Sequence, residues 1–585
     1  MPPVIRTYDF IGFGDEVPGI LALVSAAREH RRQTGRFPRS LLIFKGNGQL
    51  GVGGHLVRGG LSYLDRSHVP LEVRQSLGLP SFGEPAAIYQ EFLDRSGVDA
   101  IALDPQKASA ALRSMMAEVN VDTLGGVEIA AVQKEGDRLT AIELTKGEIY
   151  LGKQFIDATV NAELAQFAGV RKFRGFESLG LPDSELSVTL TFETLGLRVQ
   201  QLQAIESIYL QRFSNPNDTE AQGWLNIAAG RDAAYAKQLR QDMTDAQGNL
   251  KTMIVGRDYI DVRSKALSIA YHSFRGTKLA LAASGAILDN ANIAILGSSR
   301  LSWNALLFDV NATEAEDLAR SAARPTPEML REMALVQQWF QSLGASAVKP
   351  SPELYIRHAG NVAEVVNPLS GADMLTGALP ANRALGTFGY AFDIRGGIAG
   401  IERNANANGI RDLRFKPPLF NIGIQHSLCT TVPNLAVISP GSGFTGYASS
   451  AGRIVEFNVG VGQGVGIACS LALLSGRSLA AIADTEVRQV LADTDRLPRI
   501  YGRGANQFEV ARLADFEQKL GDDVLIATRP DASPAVRSAA GSAAGSTAGS
   551  AVRSATLMPP VMIQDEVGRR SAPRASRVSR TGRAS

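Results

Sequence analysis

The stretch VIRTYDFIGFGDEVPGILALVSAAREHRRQTGRFPRSLLIF, residues 4–44, has the pattern of one strand–turn–helix–strand unit. Residues 4–12 are an apolar run typical of a buried strand, and residues 18–32 carry apolar side chains at helical spacing. Pro18 suits the first turn of a helix, where its missing N–H costs nothing. Ser40–Phe44 is a second buried strand. The stretch therefore predicts a βαβ unit and an α/β fold.

The turn of this unit carries Gly12, Gly14 and Gly19. Where a strand turns into a helix, free N–H groups and the positive end of the helix dipole meet an anion, and glycine lets the backbone approach it. The turn therefore predicts a binding site for a nucleotide phosphate at these three glycines.

Three features of the unit depart from the usual pattern. Val17 stands where the spacing G-x-G-x-x-G places a third glycine. The carboxylates of Asp15 and Glu16 are expected to cap the helix and to compete for the place of the anion. Phe44 stands where an acid usually accepts hydrogen bonds from a ribose. Lys45 follows it, and we weigh a phosphate contact and a plain surface lysine equally there.

Size and composition bound the class of protein. The chain has 585 residues, enough for two or three domains, and 45% hydrophobic and 20% charged residues are ordinary for a globular protein. The net charge of +2 gives no reason to expect a specific nucleic-acid partner. Cys429 and Cys469 are too few for a disulfide framework, and the six histidines are not spaced as metal ligands. We therefore expect no metal and a reducing, cytoplasmic location.

No secretory pattern is visible in the first ten residues, MPPVIRTYDF. The apolar run at residues 459–474 is shorter than the roughly 20 residues that span a bilayer. We expect a buried helix there and no transmembrane segment.

The sequence pattern divides the whole chain into four parts. A helix at residues 105–119 and a β-meander with strands at 127–133, 139–144 and 148–151 lead to a strand at 153–158. We expect the following domains: 1–175, the first part of a nucleotide-binding domain; 176–380, a central α+β substrate or cap domain; 381–528, the second part with terminal helices; and 529–585, a disordered basic tail. The tail carries nine arginines and three acids, too little apolar content to fold.

Two later segments extend the predicted nucleotide site. The first is FIDATVNAELAQFAGV, residues 155–170, and the second is NLAVISPGSGFTGYASSAGRIVEFNVGVGQGVG, residues 434–466. Four glycines between residues 460 and 466 cost a helix roughly 1 kcal/mol each relative to alanine. This cost predicts close approach of a backbone or a ligand, and tight packing within the protein satisfies it as well as a cofactor does.

The order of these segments resembles the glutathione-reductase-like FAD-dependent oxidoreductases, and within them the broad family named FAD-dependent oxidoreductase. The resemblance covers about 1–66, 95–175 and 381–475. It includes a lysine and glycines in residues 45–54, a strand similar to I-D-A-T-G-D at residues 156–161, and an arginine nine residues before Gly-Gln-x-x-Gly. Val160 and Asn161 replace the family's Gly-Asp.

This resemblance implies a Rossmann-like FAD-binding domain built from both ends of the chain, and hydride or electron transfer between an organic substrate and FAD. A helix start near Arg453 would face the N1–C2=O end of the flavin, and a surface salt bridge is the alternative role for this arginine. Beyond the first glycine turn, the residues expected to bind the cofactor are Lys45, Gly53, Gly54, Asp157, Thr159, Arg453, Gly462 and Gln463.

Candidate catalytic residues are few, because the flavin itself carries the redox chemistry. His426 is the first choice for an acid or base, although a buried structural histidine is the commoner case. Tyr390 and Arg395 lie in a glycine-rich stretch expected to face the flavin, and Arg357 and His358 are expected from the central domain. Without a second glycine turn for a nicotinamide cofactor, a quinone, oxygen or another protein is the expected electron partner of the small-molecule substrate.

Two other functions remain open from the sequence. One is a degenerate flavoprotein scaffold or binding protein without tight FAD binding, which Asp15, Glu16, Phe44 and Val160 favour. The other is an NAD(P)-dependent dehydrogenase that uses only the first βαβ unit, which leaves the C-terminal segment unexplained.

Overall fold

The structure is a computed structural model that describes residues 4–527, with side chains described through residue 521. The predicted disordered tail at residues 529–585 lies outside the described residues. The elements are given below in chain order, and short 3₁₀ turns at Gly48–Leu50, Glu177–Leu179, Gln425–Ser427 and Leu479–Ala481 connect some of them.

The N-terminal part alternates parallel strands with helices and then forms a meander. Its elements are β1 Ile5–Thr7, β2 Phe10–Phe13, α1 Val17–Thr34, β3 Ser40–Phe44, α2 Gly54–Val57, α3 Leu71–Leu77, α4 Ala87–Ser96, α5 Pro105–Ala117, β4 Val121–Gly125, β5 Ile129–Glu135, β6 Arg138–Leu144, β7 Ile149–Leu151, β8 Gln154–Asp157 and α6 Glu163–Phe167.

The central part is a mixture of long antiparallel strands and helices. Its elements are β9 Val188–Leu195, α7 Val199–Ser214, α8 Thr219–Ala228, α9 Ala233–Gln241, β10 Ile254–Val255, β11 Tyr259–Asp261, α10 Ala266–Arg275, α11 Leu281–Ser284, β12 Ala286–Gly297, β13 Arg300–Phe308, α12 Ala312–Arg320, α13 Pro327–Ser342 and β14 Ala347–Pro350.

The C-terminal part has short strands and ends in helices. Its elements are β15 Leu369–Ser370, α14 Gly371–Thr376, β16 Thr387–Gly389, α15 Ile401–Ala407, β17 Leu419–Asn421, β18 Leu435–Val437, β19 Phe444–Thr445, α16 Ala448–Gly452, α17 Val455–Ser475, α18 Asp484–Asp493 and α19 Gln507–Ala527.

A five-stranded parallel sheet joins the two ends of the chain. Its order is β18-β8-β2-β3-β4, and β18 enters it from more than 270 positions beyond β8 through the pairing of Leu435 with Phe155. All neighbouring pairs in this sheet are parallel. The predicted α/β domain built from N-terminal and C-terminal segments is therefore confirmed.

The predicted single strand at residues 4–12 is wrong. Exposed β1 pairs in parallel with β7, at the edge of the meander sheet β1-β7-β6-β5, whereas fully buried β2 is the middle strand of the parallel sheet. The chain changes sheets at Tyr8 and Asp9. Tyr8 N–H donates to Leu151 O, and Gln154 N–H donates to Asp9 O, so each residue is tied to a different side of the meander's last turn.

The central part has its own sheet and its own core. The sheet order is β10-β11-β12-β13-β9-β14, antiparallel throughout. Trp303, Trp339 and Phe340 are fully buried between the sheet and α13, where the Phe340 ring packs at a tilt against Trp303 and edge-on against Trp339. Strands β9 and β13 lie against the loop after α2, because Thr191 Oγ1 donates to Gly59 O (2.6 Å) and Ser302 Oγ donates to Gly60 O (3.4 Å).

Helix α17 is the structural link between the N-terminal and C-terminal parts of the domain that contains the parallel sheet. Within residues 4–527 it is the one helix long and apolar enough to cross a membrane, and most of it is buried in the protein. A Cβ added to Gly462 would lie 2.7 Å from Pro18 O, and one added to Gly466 would overlap Ala22 O. The glycines therefore allow α17 to lie against the backbone of α1, which is tight packing within the protein rather than contact with a ligand.

We predict that Gly466→Ala destabilises the protein by about 1–3 kcal/mol or more, because the new methyl group would overlap the α1 backbone. Gly223→Ala is the matched control: Gly223 lies in α8 with open space around its Cβ position, so alanine should add up to about 1 kcal/mol of stability. Urea unfolding measures both. Equal effects of the two substitutions would contradict the packing described for α17.

Candidate functional site

The carboxyl ends of β2, β3 and β8 meet at one edge of the parallel sheet, where ligands of open α/β sheets bind. A narrow cleft lies there. The glycine turn, the loop after β3, the loop after β8 and the end of α12 line it, together with Arg58 and Glu353. The predicted residues Gly14, Lys45 and Thr159 are all in its wall.

The carboxylates of Asp15 and Glu16 lie inside this cleft. Asp15 Oδ2 accepts hydrogen bonds from the N–H groups of Gly53 (3.0 Å) and Gly54 (3.3 Å). Glu16 Oε1 accepts one from the N–H of His55 (3.1 Å), and its carboxylate pairs with the His55 ring. The expected cap on α1 is therefore wrong: Glu16 is at the N-cap position, but neither carboxylate bonds to the helix's own N–H groups.

A buried charge network holds Asp15 in place. Arg58 binds both oxygens of Asp15, with Nη2 donating to Oδ1 at 2.8 Å, and its Nε donates to Glu353 Oε1 at 2.7 Å. Burial raises the pKa of Asp15, but the Arg58 charge and the two N–H donors outweigh it and hold that pKa below its ordinary value. Burial raises the pKa of Glu353 to about 7. Arg58 therefore compensates one firmly ionised carboxylate and one that titrates near neutrality.

The far end of the cleft is closed by the central part of the chain. Lys45 Nζ pairs with Glu163 Oε1 (2.6 Å) and donates to Arg320 O (2.8 Å) at the end of α12. Lys45 is therefore neither a surface lysine nor free to meet a phosphate in this conformation. Glu316 of α12 also pairs with Lys172, so Lys45 and Lys172 both tie α12 to the parallel-sheet part of the protein. The pair between Glu316 and Arg320 lies within α12.

The loop after β8 is stabilised by the predicted residues Asp157 and Thr159. Asp157 is fully buried and accepts hydrogen bonds from Thr159 N–H (2.9 Å), Thr159 Oγ1 (2.6 Å) and Ala165 N–H (2.9 Å). Burial raises the pKa of Asp157 to about 6. All of these contacts lie within the loop and α6, so Asp157 shapes the cleft wall without pointing a free oxygen into it.

The three glycines of the turn are needed for close packing with the chain. Gly14 has φ +93, and a Cβ there would lie 2.7 Å from the carbonyl carbon of Ala158. A Cβ on Gly19 would overlap the Cβ of Ala158, and one on Gly12 would lie 2.8 Å from Leu23 Cδ1. The glycine turn therefore packs directly against the residue that follows β8, and larger side chains would not fit there.

A second polar cluster lies where α16 ends and α17 begins. Buried Arg453 donates from Nη1 to the hydroxyl of Tyr355 (2.6 Å) and pairs through Nη2 with Asp393 (2.6 Å). Burial and the nearby carboxylates Asp65 and Asp393 raise the pKa of Tyr390 well above its ordinary value. Partial burial raises the pKa of Asp65, which shares a hydrogen bond with Tyr390. Tyr390 therefore keeps its proton at neutral pH, and Asp65 takes up a proton more readily than an exposed aspartate does.

Two further arginines complete this cluster. Arg357 is 1% exposed, its Nη1 donates to Ser187 O (2.7 Å), and its guanidinium lies over the ring of Tyr355 (4.6 Å). No carboxylate pairs with it among the described residues, and its Nε has no hydrogen-bond partner. Burial lowers the pKa of Arg357 to about 10. Arg395 donates to Asn290 O and lies 3.4 Å from Asp289.

Three predicted residues lie away from both groups. His426 packs between Phe444 and Phe457, and burial lowers its pKa to about 3, so its ring stays neutral at physiological pH. Its catalytic role stays a prediction. Gly462 lies against α1, and Gln463 Oε1 accepts from Ile88 N–H (2.9 Å), so both serve helix packing here.

His358, expected from the central domain, pairs with buried Glu185. Its Nε2 also lies 2.7 Å from Asn361 Oδ1, so both ring nitrogens are engaged within the protein. In the part of the chain that the structure describes, no group of three or more His, Cys, Asp or Glu side chains is placed to hold a metal ion.

A dinucleotide does not fit the cleft in this conformation, although the wall has the right parts. The free space is about 80 Å³, whereas pockets for small ligands and cofactors measure roughly 300–1,000 Å³. The N–H groups of residues 53–55 face the cleft as a diphosphate would require, but Asp15 and Glu16 occupy them. Tyr355, stacked on His55 at 5.0 Å, fills the space between the cleft and Arg453.

Sequence reasoning missed the residues that come from distant parts of the chain. Arg58, Glu353, Tyr355, Asp65 and Asp393 carried no motif. Arg58 meets Asp15 across 43 positions and Glu353 across 295. A buried arginine is hard to recognise in a sequence, because its neighbours along the chain say nothing about its partners in space.

Comparison with known proteins gives a family and distant structural likenesses. A sequence model described as FAD dependent oxidoreductase matches residues 42–491. No curated protein matches the chain.

Three of the similar solved structures are enzymes. PqsL from Pseudomonas aeruginosa, a probable FAD-dependent monooxygenase, is 12% identical over 89% of this chain and 100% of its own, with a TM-score of 0.30. The myxobacterial chondrochloren halogenase CndH is 10% identical over 90% and 91%, with a TM-score of 0.34. The L-proline dehydrogenase of P. horikoshii is 9% identical over 84% and 99%, with a TM-score of 0.31.

We predict that Arg58→Gln destabilises the protein by about 3–5 kcal/mol, because it leaves Asp15 and Glu353 unpaired in a buried site. The same change in an Asp15→Asn, Glu353→Gln background should cost much less, since no uncompensated charge remains. Arg331→Gln, which breaks an exposed pair with Glu328, is the control and should cost less than about 1 kcal/mol. Chemical unfolding at pH 8 gives all three values. A similar cost for Arg58→Gln in both backgrounds would contradict the network.

Proposed function

The chain belongs to the FAD-dependent oxidoreductase family, and we propose that it oxidises or reduces an organic substrate with an anionic group at the cluster around Arg357 and Arg453. As a member of this family it is an enzyme whose cofactor is FAD. The single observation that supports the site is the convergence of Tyr390, Arg395 and Arg453 with Arg357, from three separate parts of the chain, into one buried cluster.

An anionic substrate follows from the charge of the cluster. Burying a guanidinium without an opposite charge costs several kcal/mol. Arg357 is buried with only a backbone carbonyl at 2.7 Å and a side-chain amide oxygen at 3.4 Å as acceptors. Arg453 also has an Nε without a partner. A carboxylate or another anion placed against these donors compensates the charge of Arg357 and gives Arg453 Nε an acceptor, and the planar fork of arginine binds such a group in a fixed orientation.

The residues of the cluster have distinct roles in this proposal. FAD supplies the redox chemistry when bound, and the protein binds, orients and protonates. Arg357 holds the anionic group of the substrate, and Arg453 holds Tyr355 and Asp393 in place. Tyr390 keeps its proton because burial and two carboxylates raise its pKa, and Asp65 beside it accepts or returns a proton. The pair therefore supplies an acid and a base for catalysis.

The remaining assignments are also proposals. We assign the chain to the glutathione-reductase-like branch, which the parallel sheet with a meander before β8 and a last strand from residues 435–437 supports. We propose a quinone, oxygen or another protein as the electron partner. A cytoplasmic location is supported by Cys429 and Cys469, which are both free and buried.

A second candidate function is a flavoprotein scaffold that binds partners without holding FAD tightly. The filled cleft between Asp15, Glu16 and Arg58 favours it. The absorption spectrum of the purified protein, before and after incubation with FAD and removal of the excess, distinguishes the two functions.

We predict that the protein acquires flavin absorbance on incubation with FAD, and that Arg357→Gln raises the KM for an anionic substrate at least tenfold. The reason is the loss of a buried cation that has no carboxylate partner among the described residues. Screening carboxylates against their neutral amides for anaerobic bleaching of the flavin identifies the class. Arg357→Lys should restore part of the affinity, and the amides should not respond to either change. Equal bleaching of the flavin by the amides and by the carboxylates would contradict this substrate class.

A further inference from the structure

The N–H groups of Gly53, Gly54 and His55 form a small anion-binding seat at the start of α2. Consecutive N–H groups in a turn bind anions well. The N–H groups of Gly53 and Gly54 share one acceptor oxygen, and that of His55 has another. In this structure their partners are carboxylate oxygens of Asp15 and Glu16, at 3.0, 3.3 and 3.1 Å. The seat is therefore filled by the chain itself.

Two carboxylates side by side resemble a diphosphate in charge and in hydrogen bonding. A diphosphate diester has one negative charge on each phosphate, and Asp15 and Glu16 have one each. The two phosphates and the two carboxylates alike accept hydrogen bonds from N–H donors and attract guanidinium groups. Arg58 binds Asp15 through two nitrogens and the His55 ring pairs with Glu16, so each carboxylate has both a backbone N–H donor and a side-chain partner.

The fit around these carboxylates leaves no room for a second anion. A Cβ on Gly54 would overlap the carboxylate of Glu16, so the loop backbone is already in contact with this side chain. The cleft beside it holds about 80 Å³. An incoming diphosphate must displace both carboxylates, and it meets two like charges while it does so.

We propose that Asp15 and Glu16 are internal substitutes for the diphosphate of FAD, so that the apoprotein keeps its cofactor cleft closed and FAD binds in competition with them. The proposal rests on the proposed function only in taking FAD as the ligand. It predicts an apoprotein that is folded and stable without cofactor. It also predicts that removing the two charges lets Arg58 pair with the diphosphate and tightens FAD binding.

The test is to titrate full-length apoprotein with FAD and, separately, with riboflavin. Quenching of the flavin fluorescence reports binding in each titration. Asp15→Asn with Glu16→Gln keeps oxygen acceptors for the three N–H groups but removes both charges. The dissociation constant for FAD should fall at least tenfold. That for riboflavin, which has no phosphate, should change less than twofold. Glu16→Gln alone, at the less buried position, should give about a threefold tightening and guards against misfolding of the double variant.

Asp484→Asn is the matched control. Asp484 is a buried carboxylate that accepts from Ile424 N–H (2.9 Å) and lies near Arg383, outside the cleft, so this change should leave the dissociation constant for FAD unaltered. The thermal midpoint of each apoprotein, measured with and without FAD, gives a second readout. Added FAD should raise the midpoint of the double variant more than that of the unmodified protein.

The possible outcomes separate this inference from the proposed function. Tight FAD binding by the unmodified protein, unchanged or weakened in both variants, overturns the inference and leaves the proposed function standing. A change for riboflavin as large as that for FAD overturns it as well, since the effect would not lie at the diphosphate. Failure of the unmodified protein and of both folded variants to bind FAD overturns both.

Discussion

The contact between the backbones of α1 and α17 is the constraint on which the nucleotide-binding domain depends. Gly462 and Gly466 bring a helix from the end of the chain within touching distance of the first one. That contact, with the pairing of β18 and β8, places the start of α17 and Arg453 on the same side of the sheet as the first glycine turn. Two parts of the chain more than 400 residues apart thus form one domain.

The cleft that this arrangement creates is closed by charges and an aromatic ring of the chain itself. Asp15 and Glu16 bind the N–H groups of the α2 loop, Lys45 and Glu163 close one end with α12, and Tyr355 lies between His55 and Arg453 at the other. Each of these contacts brings a different segment of the chain to the wall of the cleft. Membership of the FAD-dependent oxidoreductase family and a cleft filled in this way agree if the cofactor displaces the internal groups on binding.

Much of the fold could be predicted because its signals are local. Alternation and turn residues located β5, β6 and β7, and apolar periodicity located α1 and α5. The division of residues 4–12 between two sheets was not predictable, since both pieces are apolar enough for a strand and only pairing with β7 or β3 tells them apart. The glycines of α17 indicated that a neighbouring group approaches this helix closely, but not whether that group was a ligand or another helix.

The candidate site was predictable only in part, because its chemistry depends on partners distant in the sequence. The competition of Asp15 and Glu16 for the anion's place was visible in the sequence, since two acids interrupt a phosphate-binding turn. Their actual partners, Arg58 and the loop N–H groups, were not. Tyr390, Arg395 and Arg453 were chosen for their glycine-rich surroundings and their position, whereas Asp65 gained its proposed role only through burial beside Tyr390.

Crystal structures of the protein without and with FAD test the central claim most directly. The account predicts that the Asp15 and Glu16 carboxylates bind the N–H groups of Gly53, Gly54 and His55 in the apoprotein, and that phosphate oxygens replace them there in the complex. A complex in which the diphosphate lies elsewhere while both carboxylates keep their N–H partners would contradict it.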